Sequence, residues 1–518
     1  MSGISENSRF ISLTPTNGTQ FTEGKKVIFE VPPSISFIKG KDSYISVDLE
    51  RDTDNAFMAH PNLLAGANAL IDRVDIFSLE NGQLLESLRN YNLWSAIENQ
   101  YAVEDPTQIV NKQGCMTPHR SHIVASNAET KVLTRTRESV VVHQPGATRL
   151  STISFDGFDK GMTHKFLIPL RAGIFNHYSQ EEKLTPNLLY GGLRIEIVLA
   201  KNELVLNRVS SQLDNGTAFN CKDYEGGIPI DAIAGANVAV TTGNIRDAQN
   251  LGFSVGRQIV IQNSDSSVNV TRNITAIAHN ANKMRVTFDG GAVTANTNNP
   301  RIHHPTTAKT KYIAKNLELK VLEVIPPQEM MKKAIKESQI DFISYEVFVD
   351  NLPASSLNHQ VEFPSVATRA KAVFTHYIPN DTENDDVSPT YYAGACPTDT
   401  NLNSVQYFIN NKLYPLKAYN PDSFNDRIVA YNEIVKAMRA VGVNVKRLGD
   451  SRNAGDYSFT YLTARELARG DFVYPLKDAE AQLRTEYSAV RTTNHKLISF
   501  VFSVRSVMID QNNLSVML

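Results

Sequence analysis

Phe166-Leu167-Ile168-Pro169-Leu170-Arg171 and Phe472-Val473-Tyr474-Pro475-Leu476-Lys477 carry one pattern, a compact apolar run closed by Pro-Leu and a cation, once in each half of the chain. Outward from these blocks the similarity continues. Upstream, Leu88-Arg89-Asn90-Tyr91-Asn92 matches Leu416-Lys417-Ala418-Tyr419-Asn420, and each follows a hairpin pattern and leads into a helical one. Downstream, Leu193, Ile195 and Ile197 alternate with polar residues, as do Phe500, Phe502 and Val504. The order hairpin, helix, Pro-Leu strand, alternating strand is used twice, and self-similarity on this scale predicts two related β domains in tandem.

Period-2 alternation, the mark of strands with one buried face, dominates the remainder. Val27, Phe29 and Val31 form one run, and Tyr44, Ile45, Val47 and Leu49 a second, with Pro32, Pro33 and Gly40 between them. Val74, Ile76 and Leu79 lead through Asn81-Gly82 to Leu84, Leu85 and Leu88, which predicts a tight hairpin because Asn-Gly accepts positive φ. Val405 to Ile409, Asn410-Asn411, then Leu413 and Leu416 predict another. Asn92 caps a short helix through Tyr101 with Leu93, Trp94 and Ile97 on one face. The strongest helical spacing starts at Ser423-Phe424-Asn425-Asp426, buries Phe424, Ile428, Tyr431, Val435 and Met438, and stops before Gly442.

Between about 207 and 308 the texture changes to Gly, Asn, Thr and Ser with short β runs at Gln258 to Ile261, Asn273 to Ile277 and Met284 to Phe288. The earlier pattern resumes at Leu317, Leu319, Val321 and Val324, so this stretch reads as an inserted small β domain. Gln328 to Gln339 has helical spacing and reads as a connector, with Lys332, Lys333 and Lys336 outward. The expected fold is all-β: two tandem eight-stranded jelly-roll β-sandwiches with short helices and the insertion. The boundaries are an N-terminal arm over 1–25, a first jelly roll over 26–326, a connector helix over 327–340 and a second jelly roll over 341–518. The arm and the tail from Asp510 to Leu518 are expected to reach a neighbouring copy and order on assembly.

Composition narrows the function. The 518 residues carry 52 Lys plus Arg against 54 Asp plus Glu, a net charge of -2, and lack the basic excess of a protein that grips nucleic acid through its phosphates. Sequence-specific nucleic-acid binding is not expected. Cys115, Cys221 and Cys396 are too few and scattered for a disulfide framework, which points to a reducing compartment. The first twenty residues lack the basic start and apolar stretch of a signal peptide. The longest apolar patches, such as Leu63 to Ile71, fall short of the roughly 20 residues that span a bilayer, so a soluble chain is expected.

Each chemical motif competes with a plainer reading. Cys115, His119 and His122 offer three zinc-type ligands without paired Cys-x-x-Cys spacing, and a loop explains them better. Asp381, Glu383, Asp385 and Asp386 lack the glycine and terminal glutamate of a calcium loop. His303-His304 reads as a surface turn between Pro300 and Pro305, and Gly449-Asp450-Ser451 lacks a nucleophile elbow. Gly18 and Gly24-Lys25-Lys26 do not make a phosphate-binding loop. The sequons at Asn17, Asn215, Asn269, Asn273 and Asn513 matter only in a secreted chain. No catalytic, cofactor-binding or metal-binding residue is expected, and the chain reads as no enzyme.

Leu13-Thr14-Pro15-Thr16-Asn17-Gly18-Thr19, the turn Lys39-Gly40-Lys41-Asp42-Ser43-Tyr44, the hairpin from Ile71 to Asn92 and Asn351-Leu352-Pro353-Ala354-Ser355-Ser356 together resemble the double jelly-roll major capsid proteins of polinton-like viruses and virophages. The resemblance covers most of the chain outside the insertion. It implies a homotrimer forming a pseudo-hexagonal capsomer, with the two jelly rolls of each subunit standing upright in an icosahedral shell. It also implies a virion location after assembly inside a host cell, with penton and minor capsid proteins as partners and an internal membrane as a further contact of the shell. The insertion is expected to form an outward tower, and the lysine face of the connector reads as a solvated helix face rather than as a contact for nucleic acid or anionic lipid inside the shell. The rival readings from the residues are a carbohydrate- or receptor-binding surface or fibre protein and a β-sandwich glycosidase.

Overall fold

The computed structural model describes, apart from short internal stretches, residues 7–102, 163–212, 228–329, 339–379, 402–445 and 462–517, with isolated strands between 132 and 154 and at 218–219.

The first sandwich, roll 1, is built from β1 (Asn7–Leu13), β2 (Lys26–Val31), β3 (Tyr44–Arg51), β4 (Ile71–Ser78), β5 (Leu84–Leu88), β6 (Thr163–Pro169), β7 (Leu193–Leu199) and β8 (Tyr312–Ile325). Roll 2 follows with β9 (Gln339–Leu352), β10 (Asn358–Glu362), β11 (Ala370–Pro379), β12 (Leu402–Ile409), β13 (Lys412–Tyr419), β14 (Leu462–Glu466), β15 (Ala481–Tyr487) and β16 (His495–Asp510). Roll 1 has the sheets β1-β8-β3-β6 and β2-β7-β4-β5, and roll 2 has β9-β16-β11-β14 and β10-β15-β12-β13. Counted from its own first strand, each roll pairs first-eighth-third-sixth and second-seventh-fourth-fifth, all antiparallel. Two sheets in that order are an eight-stranded jelly roll.

The expected alternation makes each sandwich. Val27, Phe29 and Val31 of β2 and Ile195 and Ile197 of β7 are buried, as are Ile45, Val47 and Leu49 of β3 and Leu319 and Val321 of β8. Each fully buried side chain of this kind contributes about 1.5–3 kcal/mol, and the alternate residues, of which Ser46 and Glu196 are also buried, point to the opposite face.

Several local expectations change. Asn7–Leu13, expected within an N-terminal arm, is the first strand and pairs with β8 along its whole length. The tail also forms a strand: β17 (Asn513–Met517) pairs with the part of β16 that β11 leaves open. Gln339 and Ile340 belong to β9 and not to a connector helix, while Gln328 and Glu329 are helical. The Asn81-Gly82 turn spans four residues, with Ser78 N–H donating to Gln83 O and only Gly82 at positive φ. The two-residue hairpin is Asn410-Asn411, at φ 49° and 60°, as type I′ geometry requires. The helix expected from Ser423 begins at Arg427, and Ile428 is exposed while Tyr431 is only half-buried.

The repeat is real, but its second half is offset from the expected blocks. The sixth strand of roll 2 is Leu462–Glu466, whereas Phe472 is 79% exposed and Tyr474 makes only an isolated bridge to Ala370. Likewise Phe500, Phe502 and Val504 lie on the eighth strand, β16, and the counterpart of β7 is β15.

Connections β1–β2, β3–β4, β5–β6 and β7–β8 gather at one end of roll 1: Arg51 ends β3 opposite Tyr312 at the start of β8, and Leu199 ends β7 opposite Ile71 at the start of β4. These include the two longest connections of the roll, β5–β6 and β7–β8, and the β7–β8 one holds the insertion. There, Ile228–Pro229, Arg301–His303, Gln258–Gln262, Asn269–Asn280, Lys283–Phe288 and Val238–Asn244 pair in that order. The last strand returns to the first through the Ile230–Thr241 bridge and the Asp231 N–H to Val240 O bond. These described strands thus close into a barrel, with Ile233–Ala236 and Val293–Ala295 as a separate two-stranded pair, and Ile259, Ile261, Met284, Phe288 and Ile302 fill a core separate from that of the rolls.

Candidate functional site

The two rolls share one hydrophobic core cluster, and the seam between them holds a dense arrangement of aromatic and charged groups. Helix α1 (Tyr91–Ala102) follows β5 and carries Leu93, Trp94 and Ile97 on one side. Trp94 is fully buried, with its ring 4.6 Å from Phe502, 5.0 Å from Phe374, 5.3 Å from Phe500 and 6.0 Å from Tyr345. Those four rings belong to roll 2. Tyr345 lies opposite Phe502 and Phe374 opposite Phe500, so the pairing of β9, β16 and β11 gathers them on the outer face of one sheet. A roll 1 tryptophan therefore plugs a roll 2 sheet, in the tilted and edge-on geometries aromatic rings prefer.

Buried charges fix the contact. Glu98 of α1 lies 2.7 Å from His177 Nε2 and 3.4 Å from Arg171 Nη1, and Arg171 also donates to Ser95 O. Burial raises the Glu98 carboxyl, but His177 and then Arg171 outweigh it and hold it at about 2. Glu86 of β5, wholly buried, accepts the N–H groups of Gly173 and Ile174 at 2.9 and 3.0 Å. Its carboxyl is raised by burial, against those N–H groups and the charge of Arg505 from β16. Arg505 in turn sits 3.7 Å from Glu346 and donates to Tyr345 O.

Two glycines let the backbones close. A Cβ on Gly173 would sit 2.0 Å from Ile343 O of β9, and one on Gly442, at φ +82°, 1.8 Å from Tyr178 O of roll 1. Gly442 follows helix α2 (Arg427–Ala440), whose Ala430, Ile434, Ala437 and Met438 pack on roll 2 itself.

A crevice marks each end of the seam. At the long-connection end Glu23, Asp72 and Glu203 stand with Lys201 and Lys496 around about 730 Å³, and burial raises the Asp72 carboxyl. At the short-turn end Arg369, Lys371, Arg439 and Arg469 stand with Asp341 around about 750 Å³. Because Asn90 and Leu93 line the first crevice together with Val349 and Ile498, while Gly173 packs on Ile343 at the second, the rolls stand side by side with their long connections on the same side.

No family model and no curated protein matches this sequence. Among solved structures, the Faustovirus major capsid protein superposes with a TM-score of 0.50 at 11% identity, covering 98% of this chain and 91% of its own. The PBCV-1 virus capsid model superposes with a TM-score of 0.50 at 10% identity, covering 100% of this chain and 98% of its own. The fold is a double jelly roll, as in those capsid proteins. At such identities the likeness is one of architecture, and it extends over both rolls and the insertion.

Within this double jelly roll the residues with candidate chemistry do not converge. Cys115, His119, His122, the acidic cluster Asp381 to Asp386, Gly449-Asp450-Ser451, Asn215 and Lys332, Lys333 and Lys336 lie outside the described residues. His303 ends a barrel strand opposite Val260 and is not in a turn. Asn17 is spent on the backbone of β2, donating to Lys26 O and accepting from Ile28 N–H, and Asn273 donates to Asp289. Among the described residues no group of His, Cys, Asp and Glu is placed to hold a metal, and no helix is long and apolar enough to cross a membrane. Glu86, Glu98, Arg171, His177 and Arg505 escaped the sequence reading. For Glu86, Glu98 and Arg505 the only local signal is charge inside otherwise apolar strands and helices, while Arg171 and His177 lie in the connection after β6.

Proposed function

We propose that the chain is the major structural subunit of an icosahedral viral shell, three copies closing into a pseudo-hexagonal capsomer. The observation that carries this reading is the seam: two sandwiches of one topology are locked side by side, in parallel, by a head-to-tail contact. Three such chains present six near-equivalent uprights, and a head-to-tail contact that closes yields a ring and not a fibre. The fold shared with viral capsid proteins supports the same reading.

The barrel within 207–308 then stands as a tower on the outer surface, since it springs from the long-connection end. The short-turn end with its cation-lined crevice faces inward, toward genome or membrane. Penton and minor capsid proteins are its further partners, assembly takes place inside the host cell, and the subunit has no catalytic task. Electron microscopy of the purified recombinant chain tests this: the expected image is a six-cornered particle with three projections. Isolated two-lobed particles that bind glycans would favour a surface-binding protein instead.

A further inference from the structure

We propose that β13 of one copy packs against β1 of the next, repeating between chains the contact that β5 makes with β9 within one chain. The inference rests on the trimer reading above and assigns its contact surface.

In roll 1 the fifth strand, β5, is the edge of its sheet. That edge is closed beyond Leu84, which is exposed at its start: Leu85, Glu86 and Leu88 are buried, and β5 lies against β9, the first strand of roll 2. In roll 2 the fifth strand, β13, is also an edge, but open: Leu416 is 92% exposed, Leu413 is exposed too, and beside them at the start of α2 so are Ile428 and Val429. Asp426 ties these two elements together by accepting the N–H of Asn420 just past β13. An open edge strand carrying apolar side chains invites pairing or covering.

The complementary half is also present. β1, first strand of roll 1, is an edge paired only with β8. Phe10 on β1 is 55% exposed, its ring 5.9 Å from Tyr44, on the outer sheet face where roll 2 has Tyr345 beside Phe502. The roll 2 rings are covered by roll 1, whereas in roll 1 Phe10 is exposed and Tyr44 is half-buried. Each chain thus has one completed fifth-to-first contact and one unmatched half of it at either end, which two copies satisfy head to tail.

The test is sedimentation of the full chain carrying Leu416→Asp with Leu413→Asp, or Phe10→Asp. Each variant should fall from the trimer, three times the 57.5 kDa chain, to the 57.5 kDa monomer, while Val255→Asp on the exposed barrel stays trimeric. Mixing the two blocked variants should restore one contact but no ring, giving a pair of 57.5 kDa chains. Circular dichroism checks folding, and Leu416→Ser and Phe10→Ser replace any variant that fails it. Variants that remain trimeric beside a trimeric parent refute this surface and leave the trimer reading standing. A parent chain that stays at 57.5 kDa overturns both.

Discussion

Helices α1 and α2 occupy the same place in their rolls, between the fifth and sixth strands, yet every residue from Tyr91 to Glu98 of α1 is buried whereas α2 buries one side and leaves Ile428 and Val429 at the surface. The difference is what each meets: α1 lies between its own roll and the next along its buried length, whereas α2 packs on its own roll and comes to roll 1 only at its C-terminal end. The same contrast holds for β5 and β13. One chain therefore contains both the finished form of a contact and its unfinished form, and the unfinished surface shows what a neighbouring copy would have to cover.

The closed contact is most vulnerable at Trp94. Trp94→Ala should cost about 3–5 kcal/mol in urea unfolding, because a fully buried indole contacting four rings is lost and both rolls surround the cavity. Glu98→Ala should cost about 3–5 kcal/mol as well, since it strands a buried Arg171. Gly173→Ala and Gly442→Ala should each cost about 1–3 kcal/mol by forcing the two backbones apart, read as a lower melting temperature.

Acid sharpens it further. The Glu98 carboxyl lies at about 2 in the fold against an ordinary 4.5, so its contribution is complete above pH 4.5 and is lost as pH falls toward 2. The loss amounts to about 3 kcal/mol, and Glu98→Gln should flatten this limb of the stability profile. On the open side Ile428→Ala should shift monomer stability by no more than about 0.5 kcal/mol, because it touches solvent.

Much of the sandwich was legible because burial on one face writes itself into alternation: Val27, Phe29 and Val31 or Ile45, Val47 and Leu49 could hardly be anything else. The Asn410-Asn411 hairpin was legible for the same local reason. Strand identity was not, because which strands pair is a long-range matter: Phe472 to Lys477 resembles the end of β6, but pairing makes Leu462–Glu466 the sixth strand. Asn7–Leu13 looked like an arm because its polar residues outnumber its apolar ones, although Ile11 and Leu13 suffice to dock an edge strand. The closure of the barrel depends on Ile230 meeting Thr241, and the seam on Glu86 nearing Arg505, encounters that no local spacing encodes.

Whether three copies close into a ring is read from sedimentation velocity of the purified 518-residue chain. A single species with the mass of three 57.5 kDa chains is the predicted result, and a species fixed at 57.5 kDa across concentrations would contradict it.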